Sequence, residues 1–339
     1  MEFGVYSLTE IMENPKTKQK MSVKERMDML VDMAVYADKA GIDLFGVGEH
    51  HRLDYAVSSP QMLLSAISQK TSKIKLTALT SLLNTADPVR LFEDFATLDL
   101  LSGGRVEFTA GRGAFVESFP LFGYNEKDYD QLFEEHLQLL LQLNQHESVT
   151  WKGTYRSSLN DAEVAPRPYQ QQLPISIGVG GTVESAERAG RNGCGLTVVM
   201  IGGISKKYKP LVDRYRNVYE GNKPFVAMSG HTLIRETEKE LEEDFYAYYA
   251  SYWDHLTKQG IGGAMGAARS DLEFVTSKES TLFVGTPAQI VDKILYQHQL
   301  FAHDRFNAQV DFGGQPLSSI VKTIDLLANQ VMPEVKRML

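Results

Sequence analysis

Cysteine is almost absent: Cys194 is the single one in 339 residues. One thiol excludes an intrachain disulfide and any zinc site built on cysteine pairs, and it fits a reducing compartment. Long runs of lysine or arginine are missing too, and the formal net charge is −8. Neither nucleic acid nor an anionic membrane surface is therefore an expected partner. No apolar run reaches the roughly 18 residues that span a bilayer. The first residues, MEFGVYSLTEIMEN, lack the basic start and apolar core of a secretion signal. The expected location is the cytoplasm. What is present is ordinary for a globular chain, 43% apolar and 23% charged, and long enough for two domains or one large α/β barrel.

The most informative stretch is 87–113, DPVRLFEDFATLDLLSGGRVEFTAGRG. Asp87 can cap a helix whose first residue is Pro88, where no amide donor is needed. Leu91, Phe95 and Leu98 recur at helical spacing until Ser102, Gly103 and Gly104 stop them. The period then switches to two, with Val106, Phe108 and Ala110 on one face. This helix–turn–strand unit is the joint of a parallel sheet or barrel. Similar units recur along the chain. Strands are expected at 2–7, 42–47, 74–83, 106–111, 174–181, 196–201, 225–234 and 306–312, alternating with helices, those at 236–256 and 317–329 following the last two. Residues 147–172 read as an excursion folded onto the body. Residues 257–281, with four glycines, look loose. Eight βα repeats without a linker predict one (β/α)8 barrel domain over 1–339, with its ligand site on the rim where the strands end. The first βα turn has no G-x-G-x-x-G, which disfavours an open dinucleotide-binding sheet.

Three clusters fall on that rim. Glu49-His50-His51-Arg52 follows the second strand and suits acid–base work, anion binding or metal ligation. Metal is the weaker reading, because no H-x-H or H-x-x-x-H pair accompanies it. Gly178, Gly180 and Gly181 precede Thr182, placed to cap the next helix, and bare amides at a helix start make a phosphate cradle. Arg112, flanked by glycines at a neighbouring strand end, adds a cation suited to phosphate, with a rim salt bridge as the alternative. His231 lies inside the seventh strand, as open to a core role as to a catalytic one. Thr80, Asn84 and Glu107 are candidates for hydrogen bonding inside the barrel, whereas His298 and His303 read as structural.

With GVGEHH after strand two, the 87–113 block, Trp151-x-Gly153-x-Tyr155, PISIGVGGT and VGTPAQIVDKI, the chain resembles the bacterial luciferase-like flavin-dependent monooxygenases over nearly its full length. The resemblance implies a (β/α)8 barrel using reduced FMN from a separate reductase, with dioxygen, to oxidise a small organic substrate. It also implies a homodimer. Position by position, it implies catalytic roles for His50 and, more loosely, His231. It places Glu49 and Thr80 beside the flavin, and Arg112, Gly180, Gly181 and Thr182 around its phosphate. A deazaflavin cofactor is the less expected variant. Gly111 departs from the reactive cysteine of the luciferases, and Ser229 stands where sulfonate monooxygenases would need an arginine. Residues 257–281 match a segment that is a mobile lid elsewhere in the family, so the resemblance implies a lid over flavin and substrate, with Phe115, Phe119 and Phe122 expected to wall the ring. A flavin-binding protein without turnover, and a metal-dependent hydrolase using Glu49, His50 and His51, are the alternatives.

Overall fold

The computed structural model describes residues 1–113, 115–258 and 272–339. Eleven strands occur among them: β1 (Glu2–Ser7), β2 (Leu44–Val47), β3 (Lys75–Leu82), β4 (Phe108–Gly111), β5 (Ser148–Trp151), β6 (Leu159–Glu163), β7 (Ile175–Val179), β8 (Gly195–Met200), β9 (Val226–Ile234), β10 (Phe283–Gly285) and β11 (Arg305–Asp311). Eight of them pair in parallel in the order β9-β11-β1-β2-β3-β4-β7-β8, and β8 pairs back onto β9. The sheet is thus a closed barrel, and the helices that follow the strands wrap it. Phe3, Val5, Phe45, Val47, Leu76 and Val106 pack into the layer between strands and helices. The intervening positions point inward and carry polar groups, among them Ser229 and Asn307, whose amide donates to the serine at 3.3 Å.

Local chemistry explains where the helices start. Ser22 and Glu25 form a reciprocal capping box on helix Val23–Ala40. Asp87 accepts from the amides of Val89 and Arg90 at 2.9 and 3.1 Å, with Pro88 behind it and Gly103 in the left-handed region at the far end. Asp87→Ala should therefore cost about 1 kcal/mol of stability in urea unfolding. Its partly exposed contact with Arg156 at 3.1 Å adds little to that.

Several elements differ from expectation. Residues 147–172 contain the antiparallel hairpin of β5 and β6. The strand β10 extends the barrel beside the upper part of β9. The helix expected from 236 to 256 runs from 238 to 258 with one π-helical turn at Phe245–Tyr249. The expected lid at 257–281 falls largely on 259–271, outside the described residues. After it, helix Leu272–Thr276 is tied to the barrel wall: Lys293, buried, donates to the carbonyls of Val275 and Leu282. No described helix is long and apolar enough to cross a membrane.

Candidate active site

The strand ends converge as the topology requires. Immediately after β2, one oxygen of Glu49 accepts the Leu82 amide from the end of β3 at 3.0 Å. Its other oxygen meets His51 Nε2 at the same distance. His50 turns the other way. Its ring stacks on Tyr55 with centroids 4.0 Å apart and meets Phe115 edge-on at 5.4 Å. Burial outweighs the nearby Asp54 carboxylate and pushes the imidazole down to about 3, so at neutral pH His50 is uncharged and available as a proton acceptor. Glu49, His50 and His51 therefore do not face one point, and among the described residues no three such side chains are arranged to hold a metal. The hydrolase alternative loses its ligand set.

Thr80 lies one strand further on, where β3 slips in register against β4 between Leu79 and Ser81 and the Leu79–Thr80 peptide is cis. Its side chain occupies a slot cut by two glycines. A Cβ on Gly111 would lie 1.8 Å from Thr80 Oγ1 and 2.4 Å from its Cβ. One on Gly178 would lie 2.5 Å from its Cγ2. The glycine at 111 is thus the steric complement of Thr80, a reason invisible in the sequence.

Arg112 follows directly. Its backbone carbonyl accepts from Asn84 Nδ2 at 3.2 Å, which ties it to the end of β3. Its guanidinium donates to Asp130 Oδ1 and to Ser185 Oγ, both at 2.6 Å, and lies over the Tyr129 ring. Thr182 is at the N-cap of helix Val183–Arg191 but does not cap it; its hydroxyl donates to Ser185 Oγ at 2.6 Å. The expected cap is corrected on that ground: the Ser185 hydroxyl, one turn into the helix, outcompetes the backbone amide. Gly180 and Gly181 are exposed, with no described atom within 4 Å of where a Cβ would stand. Cation, two hydroxyls and uncapped first-turn amides share one spot, and that set is the chemistry of an anion site. Ser185 escaped the sequence reading, although T-x-x-S across a helix start was a usable signal.

His231 sits across the barrel on β9. Its Nδ1 is 3.1 Å from the Tyr249 hydroxyl, and Tyr252, Trp253 and Phe312 ring it. Burial pushes it down to about 4, so it too is neutral. The register places it level with Gln309 and, through Gln309, with Tyr6. Of the three expected wall phenylalanines, Phe115 faces His50, Phe122 touches His51 from an exposed position, and Phe119 is buried against Tyr129 instead. Glu107 leaves the site altogether, because its carboxylate binds Arg305 and Lys75 at the opposite end of the barrel.

Residues 1–304 match the family model described as luciferase-like monooxygenase. The oxygenase component of a flavin-dependent trigonelline monooxygenase from Acinetobacter baylyi is 21% identical, over 98% of this chain and 95% of its own. An F420-dependent glucose-6-phosphate dehydrogenase from Amycolatopsis mediterranei is 30% identical over 49% of this chain and 51% of its own. Among solved structures, the oxygenating constituent of 3,6-diketocamphane monooxygenase from a Pseudomonas putida plasmid, in complex with FMN, superposes with a TM-score of 0.80. It covers 99% of both chains at 18% identity.

Proposed function

From a chain that belongs to the luciferase-like monooxygenase family, and is therefore a flavin-type oxidoreductase, we propose the oxygenase component of a two-component system that takes reduced FMN and dioxygen to a small organic substrate. The observation that carries the cofactor assignment is the anion site: Arg112, Thr182, Ser185 and the open Gly180-Gly181 turn fit a terminal phosphate. Held there, reduced FMN would supply the two electrons that activate dioxygen. Thr80, in its glycine slot, and Glu49 would lie against the ring. His50 and His231, both kept neutral, accept or return a proton at opposite sides of the barrel mouth. Phe115 and Tyr55 on one side and Tyr249, Tyr252 and Trp253 on the other keep water from that space.

The oxygenase-component relative supports a separate reductase, and exposed Val23, Met27, Met62, Leu100 and Leu101 on early helices offer an apolar face to a second copy in the proposed homodimer. The test is oxygen uptake with reduced FMN and a candidate substrate, alongside titration with FMN and with F420. Tight F420 binding without FMN binding would replace the cofactor, following the F420-dependent relative. Flavin binding without uptake would leave a binding protein. Arg112→Ala should weaken FMN binding about tenfold or more, because a hydrogen bond to a charged group is worth roughly 1.5–3 kcal/mol. Fluorescence quenching on titration reads it, and an unchanged affinity would move the phosphate elsewhere.

A further inference from the structure

One acid at the mouth of the barrel has no work in the reading above. Glu10, four residues past Tyr6 and bridged through its backbone to Tyr55, is 5% exposed. Its carboxyl is sparsely bonded: neither oxygen has a hydrogen bond of full geometry among the described residues, Tyr252 is the one side chain that offers it a donor, and the Tyr6 hydroxyl nearby has no partner. Its charge is felt by Tyr6, Tyr55 and Tyr252. The cation beside it is already engaged: Arg26 pairs with Asp311, donates to Ser7 Oγ at 3.2 Å, and reaches only the backbone carbonyl of Glu10, at 2.9 Å. A cleft lined by Glu10, Met12, Met21, Arg26, Asp311 and Phe312 leads to it. A buried carboxyl with so few donors is costly unless something arrives to complete it.

We propose that Glu10 and the tyrosines around it form the substrate end of this active site and select an organic cation, a quaternary or protonated amine on an apolar body. The inference rests on the site reading above and adds its substrate class. Aromatic faces attract cations, and the carboxylate supplies the opposite charge. An anion would meet Glu10 and Asp311 together, with a single arginine between them. Burial, helped by Asp311, pushes Glu10 up to about 8, so the empty site is mostly neutral at pH 7. A bound cation favours the ionised form and expels the proton. The groups facing Glu10 are Asp311, Arg26, Tyr6, Tyr55 and Tyr252. Burial raises the three tyrosine hydroxyls above their ordinary range, so among the tyrosines and Glu10 it is Glu10 that titrates near neutrality. Cation affinity therefore rises with pH up to about 8, whereas a neutral carbonyl compound, held by the protonated acid, would show the reverse.

Benzyltrimethylammonium, benzyl alcohol and benzoate, titrated by calorimetry into the full chain with and without FMN, decide it. The cation should bind at least about tenfold tighter than the alcohol at pH about 9 and weaken on the order of tenfold by pH about 6.5. Its binding heat near neutrality should vary with buffer as one proton leaves. Glu10→Gln, isosteric and still able to accept from Tyr252, should abolish both the preference and the pH dependence. FMN affinity should stay unchanged in that variant. Equal or tighter binding of the alcohol or benzoate, a flat pH profile, no binding of the cation, or a preference surviving in Glu10→Gln would each overturn the proposal. Failure of FMN to bind while the cation preference persists would overturn the cofactor reading alone.

Discussion

Gly111→Ala should destabilise the protein by about 2 kcal/mol or more, and Thr80→Gly in the same chain should recover most of that loss. An added Cβ at 111 meets both Oγ1 and Cβ of Thr80, so no rotamer of the threonine relieves it. Overpacking of this kind forces backbone shifts, which is why its cost reaches the upper part of the usual 1–3 kcal/mol range. Gly178→Ala makes the informative contrast. Its Cβ meets only Thr80 Cγ2 closely, so Thr80→Ser, which deletes that methyl, should suffice as rescue there and fail for Gly111→Ala. Urea unfolding of the two double-mutant cycles measures both coupling energies. A Gly111→Ala variant with an unshifted midpoint would show that the slot is not rigid. The same geometry bears on chemistry. A cysteine at 111, as in the luciferases this sequence resembles, has no room while Thr80 is present.

Acid should unfold the protein through its histidines. Burial holds His50, His231 and His303 neutral down to about 3, 4 and 3, while in the unfolded chain each takes a proton near 6.5. Between those limits the unfolded state binds more protons, so stability is full above pH about 6.5 and falls as the pH drops towards 4. Each histidine contributes on the order of a few kcal/mol to that loss. Glu10 acts with the opposite sign. Unfolded, it ionises near its ordinary 4.5, but folded only near 8, so it lowers stability as pH rises between them. One acid against three histidines leaves the optimum near neutrality. His303 lies just before β11, far from the rim, which makes it the clean probe. His303→Leu should flatten the acid limb of unfolding midpoint against pH by about a third, without altering flavin binding. An unchanged slope would mean that the acid transition has another source.

What the sequence revealed of this molecule was what is encoded locally. Asp87, Pro88 and Gly103 punctuate a helix by their own geometry, and eight repeats of that grammar imply a barrel. Arg112 and Gly180-Gly181 could be picked out because bare backbone beside a cation is itself a sequence pattern. The remainder depends on partners distant in the chain. Tyr55 matters because it stacks on His50, and Ser185 because it captures both Thr182 and Arg112. No periodicity announces either fact. The β5–β6 hairpin escaped because β6 is largely exposed and so lacks the apolar alternation that marks a strand. Thr182 was misread for the same reason as Phe119: side-chain direction is settled by competition among neighbours that the sequence does not order.

Asp130, the carboxylate that holds Arg112 in place, is two-thirds exposed. Its position bears on the kinetics of the proposed cofactor rather than on affinity alone. An incoming phosphate finds the guanidinium already oriented, yet must share it with a resident counter-ion. On departure it leaves behind a cation that is at once re-neutralised. Both events lower the barrier to exchange, and easy exchange is the property needed by a protein that receives its flavin reduced from elsewhere and hands it back oxidised at every turnover.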